Sequence, residues 1–142
     1  TMLRFFNVYG ERNRPGMVPY LWADSFLRGN GIEISGDGER KRDYTYIGDV
    51  VNAVIKILHT ARDFEIVNIG HGSPLSLNDL NALFTKVTGT AVPVTARPSH
   101  QASVDTTYAD TTKAKELYGW TPQVSHEEGI TRLLAWFRET RL

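Results

Sequence analysis

A chain of 142 residues, 41% apolar and 23% charged, has the make-up of one globular domain with a real core and not of a disordered chain. Sixteen Lys and Arg balance sixteen Asp and Glu, which excludes a general electrostatic grip on nucleic acid or anionic lipid, and the lack of cysteine excludes disulfides and thiolate zinc sites. No apolar run nears the roughly 20 residues that span a bilayer and no signal-peptide pattern is present, so the expectation is a soluble, cytoplasmic protein without nucleic-acid or membrane partners.

Residues 2–7 (MLRFFN) read as a strand with no turn or cap ahead of it, which points to a chain that begins inside a larger fold. Residues 10–16 (GERNRPG) form a turn-rich polar connection. Val18-Pro19 opens a helix in which Trp22, Phe26 and Leu27 share a face, and Gly29 stops it. A short strand at 32–34 precedes GDGERKRDYTY (36–46), where Arg40, Lys41 and Arg42 stand on a loop ahead of an extended piece at 44–47. From Asp49 the spacing turns helical, with Val51, Val54, Ile55 and Leu58 as its apolar stripe. Residues 64–69 (FEIVNI) read as a buried strand closed by Gly70 and Gly72.

Ser76, with Asp79 three residues on, caps a helix striped by Leu80, Leu83, Phe84 and Val87 and ended by Gly89. Residues 92–94 read as a strand, 97–108 as a long polar loop, and 111–118 as a short helix stopped by Gly119. Ser125 and Glu128 make a capping box for a last helix that buries Ile130, Leu133, Leu134 and Phe137. Strands alternate with helices, so the class is α/β.

The four histidines have no metal-ligand spacing, and Trp22, Trp120 and Trp136 read as core. No GxGxxG, GxSxG or GxxxxGK[ST] motif is present. The cationic loop leaves two readings open, a solvated turn or an anion site. Arginine presents a planar fork of donors that fits phosphate oxygens in pairs, and Arg97, at the head of the polar loop, is a second such group.

The stretches LRFFNVYGERNRPGMVP (3–19), GDGERKRDYTYIGDVVNAV (36–54) and YADTTKAKELYGWTPQVSHEEGI (108–130) with Trp136-Phe137 carry a family resemblance. Together they resemble, in order and spacing from residue 3 to 138, the nucleotide-sugar epimerases and dehydratases of the extended short-chain dehydrogenase/reductase family. The resemblance implies that the chain is the C-terminal part of a Rossmann-type doubly wound fold plus a small α/β substrate-binding domain. It also implies that a GxxGxxG dinucleotide loop and a Tyr-xxx-Lys pair lie upstream of Thr1.

Carried onto this chain, the resemblance implies that Asn7 hydrogen-bonds the nucleotide sugar near its phosphates. Phe5 and Phe6 wall the nicotinamide of NAD and the sugar, and Met17, Val18 and Pro19 contact the nucleotide. Arg42 binds the diphosphate and Arg97 grips it from the other side. Two positions depart from the pattern: Ser35 stands where an aromatic residue stacks on the base, and Ala102-Ser103 where a Gly-Asp pair contacts the ribose.

FFNVYG, with no NNYGP, leans toward the epimerases, and residues 68–89 are similar to those of UDP-glucose and UDP-glucuronate 4-epimerases. The implied function is the substrate-binding part of an NAD-dependent, homodimeric sugar 4-epimerase working through a 4-keto sugar. This segment alone is expected to be inactive. A 4,6-dehydratase fragment and a non-catalytic nucleotide-sugar-binding module stand as alternatives.

Overall fold

The computed structural model describes residues 1–60, 63–98 and 104–141. Among the described residues, eight short strands and five helices follow one another as β1 (Met2–Phe5), β2 (Val8–Tyr9), α1 (Val18–Arg28), β3 (Ile32–Ser35), β4 (Lys41–Arg42), β5 (Thr45–Tyr46), α2 (Ile47–Leu58), β6 (Ile66–Ile69), β7 (Leu75–Ser76), α3 (Leu77–Thr88), β8 (Val94–Arg97), α4 (Thr112–Tyr118) and α5 (His126–Thr140). The pairs β1–β6, β2–β5 and β3–β8 are parallel, and β4–β7 is antiparallel. Parallel strands joined by helices are the α/β pattern that the sequence predicts.

Local chemistry accounts for most helix ends. Pro19 sits in the first turn of α1, and Gly29 closes it in the left-handed region at φ 71°. Ser76 accepts the Asp79 N–H while the Asp79 carboxylate accepts the Ser76 N–H, so α3 starts with a complete capping box. The box predicted for α5 is only half formed. Ser125 accepts the Glu128 N–H, but the Glu128 carboxylate is drawn to Arg132 one turn along.

Two apolar clusters result. One joins α1, α3 and α5 through Trp22, Phe26, Phe84, Leu133 and Phe137, and also takes in Tyr9, Tyr44 and Tyr46. The other packs Val50, Ala53 and Ile57 of α2 and Ala114 of α4 against Val67 and Ile69, with Trp120 at 1% exposure. The Asp49 carboxylate accepts the Gln123 and Val124 N–H groups at 3.0 Å each, and the Trp120 indole N–H donates to the Asp49 carbonyl at 3.1 Å. These bonds fasten the start of α2 to the turn before α5.

Five expectations are corrected. The stripe Val51, Val54, Ile55 and Leu58 faces outward, at 40–78% exposure, and α2 buries Val50, Ala53 and Ile57 instead. The helix also begins at Ile47, so the extended piece is shorter than 44–47. Lys41 and Arg42 form a strand and not a loop. Strand β8 runs 94–97 because Pro93 has no N–H for a ladder, and β6 starts at Ile66, leaving Phe64 76% exposed.

Candidate functional site

One cleft of about 340 Å³ gathers five of the residues singled out from the sequence: Asn7, Val18, Ser35, Arg42 and Arg97. Each arrives on a different element. Asn7 lies between β1 and β2, where its carbonyl accepts the Thr45 N–H at 3.0 Å. Val18 is the first residue of α1, whose N-terminus has no side-chain cap, and Gly16 and Met17 border the cleft beside it. Ser35 ends β3 and Arg97 ends β8, and the parallel register sets these two residues side by side. Arg42 comes from β4, and its Nη1 donates to the carbonyls of Lys41 at 2.7 Å and Asp105 at 3.4 Å.

Arg97 is more open to solvent, with its side chain 61% exposed and its Nη1 3.5 Å from the Glu33 carboxylate. Arg40 also lines the cleft and pairs with Asp105 at 3.4 Å. With Ser35 it continues into a second cleft of about 370 Å³ bordered by Gly36, Asp37 and Thr106. Three guanidinium groups, those of Arg40, Arg42 and Arg97, line the cleft together with the start of a helix, and both kinds of group present donors with positive potential.

Phe5, 51% exposed on β1, and the half-buried Phe6 do not line this cleft. Ser103 and its neighbour Ala102 lie outside the described residues. The sequence reading missed Tyr44 and Leu77, which also line the cleft. It gave Asp43 no role, although this carboxylate is fully buried beside Arg42. Burial pushes the Tyr44 hydroxyl up to about 12, against the lowering pull of the Arg42 charge, so Tyr44 stays a neutral phenol in the cleft wall. Among the described residues no cluster of His, Cys, Asp and Glu is placed to hold a metal ion.

Behind the site the His71 and His126 rings lie 3.9 Å apart, and His126 Nε2 donates to the Tyr44 carbonyl at 3.1 Å. Burial, helped by the neighbouring His71 imidazole and opposed by the Tyr44 carbonyl and the Asp43 carboxylate, pushes His126 down to about 4. An unfolded chain takes up this proton near pH 6.5, whereas the folded one does so only near 4. The stability that neutral His126 supports is thus complete above about pH 6.5 and falls as the pH drops toward 4. Urea denaturation is expected to give a lower midpoint at pH 5 than at pH 7, and a smaller difference between the two in His126→Gln.

The sequence profile of the NAD dependent epimerase/dehydratase family matches residues 1–70. A UDP-glucuronate 4-epimerase of Thermodesulfobacterium geofontis is 35% identical over 140 residues, which cover 98% of this chain and 43% of that protein. The structure of a UDP-glucose 4-epimerase from Thermotoga maritima, solved with UDP-glucose, superposes with a TM-score of 0.90 at 40% identity over 97% of this chain and 45% of that one. That of a UDP-glucuronic acid 4-epimerase from Bacillus cereus, in complex with UDP-glucuronic acid and NAD, gives a TM-score of 0.91 at 30% identity over 96% and 44% of the two chains. The chain spans less than half the length of these relatives and corresponds to their C-terminal half.

Proposed function

The chain belongs to the NAD dependent epimerase/dehydratase family, and from that premise we propose that it is the nucleotide-sugar-binding portion of an NAD-dependent UDP-sugar 4-epimerase. The observation that carries this reading is the single cleft that joins Asn7, the uncapped start of α1, Arg42 and Arg97. A pyrophosphate there is neutralised from two sides, and a cavity of this size suits a small ligand.

The reaction is a transient oxidation of the sugar hydroxyl at C4 to a ketone, followed by reduction from the opposite face. NAD, when bound, accepts the hydride and returns it. The residues of this chain hold the diphosphate while the sugar turns, so that binding energy from a remote group keeps the reacting carbon in place. Asn7, between β1 and β2, positions the sugar side of the diphosphate. Phe5 and Phe6 offer apolar ring surface of the kind a nicotinamide packs on. The glycine-rich loop and the Tyr-xxx-Lys pair are assigned to an N-terminal half that completes the protein.

Three features support that completing half. The relatives are more than twice as long as this chain. The outer edge of β1 has no strand partner among the described residues, and a lone two-stranded parallel sheet is not self-sufficient. Helix α2 is apolar on its outward face as well as its inward one, as helices buried on both sides are. On the family resemblance we further assign the parent to the cytoplasm as a homodimer; among the described residues no helix is long and apolar enough to cross a membrane.

The natural full-length protein with NAD is expected to convert UDP-glucose or UDP-glucuronate to its C4 epimer, as followed by NMR. Residues 1–142 alone are expected to bind UDP in calorimetry without turnover. UDP binding absent from both would overturn the site, and binding by the full-length protein without epimerisation of either sugar would overturn the reaction.

A further inference from the structure

Resting on the diphosphate reading of the cleft, we propose that Asp43 is a positioning residue: its carboxylate fastens both flanks of β4 and thereby fixes the Arg42 guanidinium in the cleft. Asp43 is 0% exposed. Its Oδ1 accepts the His71 N–H at 2.8 Å and the Thr45 hydroxyl at 3.4 Å, and its Oδ2 accepts the N–H groups of Gly72 and Ala109 at 2.9 Å each. All of these donors are neutral, and none of the ion pairs among the described residues includes Asp43. A buried carboxylate is tolerated only when donors fill its lone pairs. Here the peptide donors come from segments 28, 29 and 66 positions along the chain.

Those segments are the two neighbours of β4. The 71–72 turn leads into β7, which pairs with β4 on one side. Ala109 follows the 105–107 run on the other side, where the Lys41 N–H donates to the Asp105 carbonyl at 2.9 Å and the Thr107 N–H to the Lys41 carbonyl at 3.1 Å. The Thr107 hydroxyl accepts the Asp43 N–H at 3.3 Å. With two residues, β4 has too few ladder bonds to fix its own register, and the carboxylate one residue beyond Arg42 supplies the missing constraint. Arg42 itself bonds to the Lys41 and Asp105 carbonyls, both within the segments so held. Gly70 completes the joint, because a Cβ there would overlap the Ala109 methyl.

The test is a double-mutant cycle on UDP binding in the natural full-length protein. Asp43→Asn turns an amide NH₂ toward peptide N–H groups and releases one flank, so the UDP Kd of the folded variant is expected to rise about tenfold. Arg42→Ala/Asp43→Asn is expected to bind no more than about twofold more weakly than Arg42→Ala alone, because Asp43 acts through Arg42. An unchanged Kd in Asp43→Asn, or an equal loss with and without Arg42, would overturn the positioning role and leave the cleft reading intact. A wild-type protein that does not bind UDP would overturn both. Should Asp43→Asn not fold, Thr45→Val, which removes the hydroxyl that donates to the Asp43 carboxylate, carries the same cycle. A smaller, Arg42-dependent loss supports the proposal, and no loss overturns it.

Discussion

Replacing Arg42 by alanine is expected to weaken UDP binding by roughly two orders of magnitude, about 2.7 kcal/mol, within the range of truncated charge-assisted pairs. The guanidinium is held through Nη1 by the Lys41 and Asp105 carbonyls, so little ordering remains to be done when an anion arrives. Arg97→Ala is expected to cost less, about tenfold, because its guanidinium is 61% exposed and already shared with Glu33. The Arg97 contribution also shrinks faster as salt is added. Arg42→Lys restores only part of the loss, since an ammonium cannot engage two phosphate oxygens at once. Calorimetry at low and moderate ionic strength measures all of these effects; affinity unchanged in both alanine variants would sink the diphosphate assignment.

Phe84→Ala is expected to remove about 3–5 kcal/mol of stability, the usual cost of emptying a fully buried aromatic site. Phe84 is 0% exposed and sits where α3 meets α1, edge-on to Trp22 at 6.1 Å and stacked on Phe26 at 5.2 Å. Both partners are held on α1, which Pro19 starts and Gly29 closes, and this limits how far the cavity can collapse. Thermal unfolding should shift downward by about 10 °C or more. Phe84→Leu should recover over half of the difference because it fills most of the volume with apolar atoms. A drop below about 1 kcal/mol would mean that the α1–α3 junction repacks freely.

Much of the fold was legible because its punctuation is chemical and local. Pro19 and Gly29 bracket α1, and Ser76 with Asp79 starts α3, for reasons contained within a few residues. That Arg42 and Arg97 line one cleft was legible for a different reason, through the family resemblance and not through their spacing. Helix α2 was misread because both of its faces are apolar, and periodicity alone cannot say which one a partial fold covers. Strand β4 was missed because its flanking segments are remote in sequence, and two cationic residues carry no strand signal of their own. Asp43 was invisible for the same reason, because its hydrogen-bond partners at 71, 72 and 109 become neighbours only in three dimensions.

The cleft has a thermodynamic corollary. Its walls come from positions as far apart as Asn7 and Arg97, so a denatured chain holds no fragment of it worth binding to. An occupant must therefore stabilise the fold by mass action, by about 2.7 kcal/mol at a hundredfold excess over Kd, and so raise its melting temperature. A shift in melting with added nucleotide, titrated against uridine and inorganic pyrophosphate, would resolve which portion of the occupant supplies that linkage.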